Sequence, residues 1–99
     1  MGPGFSIVKN EIAQEVIYSG RVQGVGFRQS VCALASKQLV QGYVQNLDNG
    51  KVRLVAHGKN TQVNNLLKSV DSIWAENISK IQVNDFRPGD GVTGFSIRY

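Results

Sequence analysis

Asn49-Gly50 lies at the middle of the chain, between two runs rich in β-forming residues, Tyr43 to Leu47 and Lys51 to His57. Asn-Gly is the strongest short-range hairpin signal. It predicts that the two runs are short strands, paired antiparallel through Asp48-Asn49-Gly50. Everything else in the chain has to be arranged around that hairpin.

On each side of it lies a segment of helical period. Phe27, Val31, Leu34, Ala35 and Leu39 share one helix face, and Gly42 is a natural place to stop. Val63, Leu66, Leu67 and Val70 repeat the pattern, with Asn60 or Thr61 as the expected N-cap. Trp74 follows and reads as core or core edge. Val16, Ile17, Tyr18 and Val22 mark a strand over Ala13 to Val22, and Ile81 and Val83 mark another over Ser79 to Phe86. Arg87 to Gly91, "RPGDG", reads as a loop. Phe95, Ile97 and Tyr99 alternate with Ser96 and Arg98 in a short last strand.

The order β-α-β-β-α-β-β implies an α+β fold: a two-layer α/β sandwich with two helices on one face of a largely antiparallel sheet. The ferredoxin-like, split βαβ arrangement is the leading architecture. Residues 13–99 are expected to form a single domain and residues 1–12 a flexible N-terminal extension. A chain of 99 residues has room for one core and not two.

Composition narrows the function only a little. No apolar run approaches the ~18 residues of a membrane span, and the first residues lack a secretory pattern. The single cysteine, Cys32, precludes an internal disulfide, which suits a reducing, cytoplasmic setting. The net charge of +4 favours an anionic ligand, but the basic residues are scattered and form no nucleic-acid arm. No Cys/His cluster offers a metal site, and no pair of carboxylates is spaced as an acid–base pair. His57 reads as a packed or solvent-facing residue.

The strand-to-helix connection is the chemically distinctive stretch. "SGRVQGVGFRQS", Ser19 to Ser30, carries Gly20, Gly24 and Gly26 and then Arg28. A helix N-terminus leaves backbone N–H groups unpaired and carries partial positive charge. Glycines let a tetrahedral anion approach those donors, and Arg28 adds a fixed charge with a fork that matches phosphate. The same bareness also suits a chain that only has to turn. Neither G-x-G-x-x-G nor the Walker pattern is present.

Asn46 is the second polar residue of interest. From Arg28 the helix descends ~18 Å, and the strand from Gly42 climbs back ~13–16 Å. Asn46 is therefore expected near the level of the glycine loop, where its amide either orients a water or helps the turn.

"GRVQGVGFR" (Gly20 to Arg28) followed by "GYVQN" (Gly42 to Asn46) resembles the acylphosphatase family, as do the Asn-Gly hairpin, the "GKV" after it and the closing "FSIRY". The resemblance runs from about Ala13 to Tyr99. It implies a ferredoxin-like fold and metal-independent, cofactor-free hydrolysis of the carboxyl-phosphate bond of acyl phosphates. The family's catalytic arginine falls on Arg28 and its catalytic asparagine on Asn46. The phosphate-binding loop falls on Gln23, Gly24, Val25, Gly26, Phe27 and Arg28. The partners implied are a small acyl phosphate and inorganic phosphate, with no nucleic acid, no membrane and a monomeric chain. Arg53 and Asn49 depart from residues common in the family, and neither touches the catalytic pair. The alternative is a non-catalytic anion-binding or protein-interaction module on the same fold. RNA binding on the sheet is disfavoured, because "KVRLVAHG" has no stacking aromatic except His57.

Overall fold

A computed structural model describes residues 10–86 and 93–99. Most of the expected N-terminal extension and the whole of the Arg87–Gly91 loop lie outside the described residues. The chain runs β1 (Glu11–Gly20), α1 (Phe27–Gln38), β2 (Gln41–Asn46), β3 (Val52–Lys59), α2 (Asn60–Ile73), β4 (Ile78–Asp85) and β5 (Phe95–Arg98). The sheet order is β4-β1-β3-β2-β5.

The hairpin forms where Asn49-Gly50 predicts it. Gly50 N–H donates to the Leu47 carbonyl at 3.2 Å, closing a four-residue turn, and Gly50 adopts φ 87°. Asn49 Oδ1 accepts from the Lys51 N–H at 3.0 Å, a local bond of the kind that favours Asn in turns. β2 then pairs antiparallel with β3, Val44 opposite Leu54. β1 pairs antiparallel with both β3 and β4. The sheet is mixed, because β5 adds parallel to β2, with Val44 beside Ile97 and Gln45 beside Arg98.

Both helices cover one face. α1 packs on β2 and β5, and α2 packs on β3 and β1. Val16 and Tyr18 from β1, Val44 from β2 and Leu54 from β3 meet Phe27, Val31, Val63, Leu66 and Val70 in a closed core. Burying side chains of this size contributes about 1.5–3 kcal/mol each before chain entropy is charged against it.

Four local expectations shift. The first strand starts at Glu11 and ends at Gly20, so Val22 reaches the core from the loop. α1 stops at Gln38, with Leu39 in the left-handed region (φ 58°) and 76% exposed rather than on the buried face. Gly42 lies beyond that stop, inside β2, where an added Cβ would run into the Val55 carbonyl. Asn60 is the first residue of α2 and not its cap; its Oδ1 accepts from Asn64 Nδ2 at 2.6 Å. Finally, Ile81 and Val83 lie opposite Tyr18 and Val16 and so face the helical layer, yet they stay 40% and 50% exposed. Among the described residues, neither helix packs on β4 more than marginally.

Candidate active site

The loop between β1 and α1 is fixed from below by aromatic packing. Phe27, the first residue of α1, is buried between Tyr18 and Trp74, with ring centroids 5.2 Å away on each side and edge-on geometry. Trp74 Nε1 donates to Ser30 Oγ at 3.0 Å, which pins the first turn of α1 against the end of α2. The helix N-terminus is thus held rigidly while its upper surface stays open.

Gly26 is the N-cap, at φ 86° and ψ 12°, and among the described residues no side chain caps the helix. Its carbonyl accepts the Ser30 N–H at 3.0 Å, the first helical bond. Among the described residues, no backbone carbonyl takes a bond from the N–H groups of Gly24 to Gln29. A Cβ added at Gly24 or Gly26 would meet nothing within 4 Å, so both glycines border open space. No acidic residue occupies the first turn of α1 to compete for an anion.

A small pocket of about 160 Å³ opens at this point. Gly24, Gly26, Arg28 and Gln29 line it together with the apolar Val22, Phe27, Ile97 and Tyr99. Among the described residues, Arg28 is the one charged residue in the lining. Its Nη1 lies 3.5 Å from the Arg98 carbonyl, too long for a strong bond, and its Cζ lies 4.8 Å from the centroid of the Tyr99 ring. Among the described residues the guanidinium is therefore loosely held and keeps most of its donors.

Of the residues singled out in the sequence, Gly24, Gly26, Phe27 and Arg28 line this pocket, and Gln23, Val25 and Asn46 do not. Gln23 instead turns its side chain to the hairpin. Its Nε2 donates to the Leu47 carbonyl and to the Lys51 carbonyl, both at 2.9 Å. The loop is thereby tied to the residue that follows Asn46. Val25 is half-buried against the core. Asn46 shares the helix-side face with Val44 at the end of β2, and its Oδ1 is shielded from solvent with no protein donor among the described residues. Leaving a shielded acceptor unpaired costs about 1–3 kcal/mol.

Two features escaped the sequence reading. The Gln23 side chain has no local pattern that announces a partner 24 residues away. Ile97 and Tyr99 were legible as one face of the last strand, but only the parallel pairing with β2 brings that face to the loop. Among the described residues, no three His, Cys, Asp or Glu side chains are grouped as metal ligands.

Fold and pocket together define a ferredoxin-like α+β domain whose first helix N-terminus opens into a glycine-lined, arginine-bearing depression. The acylphosphatase family model matches residues 14–97. A curated acylphosphatase from Clostridium beijerinckii is 38% identical over 92 residues, covering 89% of this chain and 99% of that protein. The crystal structure of acylphosphatase from Bacillus subtilis superposes with a TM-score of 0.78 at 32% identity, covering 89% of this chain and 99% of that one. The structure of an acylphosphatase from Coxiella burnetii gives a TM-score of 0.77 at 34% identity, covering 91% and 95%. The chain belongs to the acylphosphatase family, a family of hydrolases.

Proposed function

We propose that this chain hydrolyses the carboxyl-phosphate bond of acyl phosphates, releasing a carboxylate and inorganic phosphate. The observation that carries the reading is the uncapped loop: N–H groups from Gly24 to Gln29 without backbone acceptors, beside the loosely held Arg28 guanidinium. The phosphoryl oxygens sit on the backbone of Gln23 to Arg28 and on the Arg28 fork, which together offset the charge that builds on them in the transition state. Asn46 orients the attacking water through its side-chain amide; its place at the end of β2 on the helix-side face, next to the Leu47 carbonyl to which Gln23 ties the loop, supports this role. The water oxygen forms a new P–O bond, and the bond to the acyl oxygen breaks. The carboxylate departs with the electron pair and needs no protonation. The water's proton passes to an oxygen of the substrate's own phosphoryl group. Positioning and electrostatics supply the catalysis, as phosphoryl transfer generally requires.

The reading includes a monomeric chain that works without a metal or other cofactor. It also includes a cytoplasmic setting, which the single free Cys32 suits. Among the described residues no helix is long and apolar enough to cross a membrane.

Benzoyl phosphate hydrolysis, followed with and without a chelator, tests the reading. Turnover undiminished by chelator is expected. No turnover, with phosphate binding intact, would make the chain a non-catalytic anion-binding module. Asn46→Ala is expected to leave phosphate binding nearly unchanged while kcat collapses. Proportional losses of affinity and turnover would remove Asn46 from the role assigned to it.

A further inference from the structure

We infer that Tyr99 forms, with Ile97, the wall that receives the acyl group, and that it makes the site prefer substrates with a flat apolar acyl group. The inference rests on the hydrolytic reading above and extends it to the end of the substrate that is not phosphate. Two segments of unlike chemistry line the pocket. Gly24, Gly26 and Arg28, from the loop and the start of α1, present backbone and charge, whereas Ile97 and Tyr99, from the β5 end, present hydrocarbon. A phosphoryl group takes the first and has no use for the second.

A pocket of about 160 Å³ is far smaller than the 300–1,000 Å³ of a drug-sized site. With a phosphoryl group on the loop, the acyl group must leave toward the apolar β5 end. Tyr99 stands there. Although it lines the pocket, it is 93% exposed, so its ring is covered by very little of the protein. One contact is with Arg28, whose Cζ is 4.8 Å from the ring centroid. Ile97 lies two residues earlier on β5, beside Val44 on the helix side, and is partly buried against the core. The parallel register ends with Gln45 beside Arg98; Asn46 is the last residue of β2 and Tyr99 follows directly after β5. The ring is thus next to the arginine that bears the phosphoryl charge.

An aromatic acyl group stacked on Tyr99 gains the area it buries plus the offset-stacking preference of paired rings, about 3- to 10-fold in affinity. A methyl group is too small to gain either. The contact is the same in the ground state and the transition state, so it changes KM more than kcat.

The test compares benzoyl phosphate with acetyl phosphate in the full chain and in Tyr99→Ala, Tyr99→Leu and Tyr99→Phe. Tyr99→Ala is expected to lower kcat/KM for benzoyl phosphate about 10-fold, mostly through KM, and to change acetyl phosphate less than about 2-fold. Inhibition by inorganic phosphate should not move. Tyr99→Phe should match the parent, and Tyr99→Leu should fall between. Because the readout is a ratio of two substrates, a loss of folded protein cancels. If Tyr99→Ala weakens both substrates and phosphate together, the ring only steadies Arg28 and the inference is overturned. If the ratio does not move, it is overturned as well. A parent chain that turns over neither substrate removes the hydrolytic reading, and this inference goes with it.

Discussion

α1 and α2 each begin without a side-chain cap and without an acidic residue in the first turn. By helix dipole alone, both ends are equally attractive to an anion. The chain reaches them differently. α2 continues straight from β3 through Lys59, an extended residue at φ −63° and ψ 142°. Its first N–H, from Asn60, is already bonded to the Asn10 carbonyl. α1 is reached through a loop that swings around Gly26 in the left-handed region and leaves consecutive N–H groups facing a hollow. The lesson is that a helix N-terminus becomes a site through the path that leads into it and the charge placed beside it, here Arg28.

The strongest way to break that comparison is to remove the charge from one end and not the other. Arg28→Ala should lower turnover by about 10²–10³-fold, the usual cost of losing one oxyanion-stabilising donor, and weaken phosphate binding. Arg28→Lys should recover only part, since charge is kept and the fork is lost. Lys59→Ala, at the cap of α2, should leave both unchanged. Steady-state kinetics and phosphate inhibition report all three, and an equal loss at Lys59 would mean that net charge rather than the loop attracts the anion.

Next in size is the tether. The α2 end is anchored by backbone, whereas the α1 loop is anchored by the Gln23 side chain across to Leu47 and Lys51. Gln23→Ala removes two hydrogen bonds worth about 0.5–1.5 kcal/mol each. Gln23→Glu should be worse, since a carboxylate would face two carbonyls. Urea unfolding measures the stability loss. If the tether also sets the distance between loop and Asn46, kcat falls in Gln23→Ala while phosphate affinity holds.

A smaller effect separates the two caps themselves. Gly26→Ala places a side chain at φ 86°, which costs about 1–2 kcal/mol although its Cβ would meet no neighbour. Lys59→Ala, at ordinary extended angles, should stay within about 0.5 kcal/mol. Equal urea midpoints for the two variants would show that Gly26 is replaceable and that the loop does not depend on its handedness.

The contrast also marks what could be read before the fold was known. The hairpin was legible because Asn49-Gly50 is a local conformational demand, and the helices were legible because Phe27, Val31 and Ala35, or Val63, Leu66 and Val70, share a face within a single element. Gly24, Gly26 and Arg28 were legible as a group because they lie together in one loop. The rest depends on what packs against what. Periodicity put Ile81 and Val83 on the correct face of β4 but could not say that no helix would cover them. Leu39 fits the helical period, yet the chain turns at it, with its N–H and that of Val40 both bonded to the Ala35 carbonyl. The apolar wall at Tyr99 and the tether at Gln23 are long-range contacts of 71 and 24 residues with no local signature.

The smallest expected effect concerns the other ends of the two helices. α1 carries Lys37 in its last turn, where a cation opposes the partial negative charge of the helix end. α2 has no basic residue there and carries Asp71 instead, the unfavourable sign. Partial burial raises the Asp71 carboxyl above its ordinary value of 3.8. Tyr18 is raised too, first by burial and second by the charge of Asp71. A carboxyl raised in the folded state binds its proton more tightly there than in the unfolded chain. Its favourable contribution is therefore complete below 3.8 and is lost as pH rises through the folded value. Above that window the ionised Asp71 burdens the fold, and Asp71→Asn should relieve it. At neutral pH the variant should melt roughly 1–3 °C higher than the parent, the scale of an exposed helix-end charge. On acidification the two curves should converge, meeting below 3.8 because the parent then also carries a neutral side chain. A difference that persisted unchanged through that window would assign the gain to amide hydrogen bonding. The two helix C-termini would then differ in packing and not in charge.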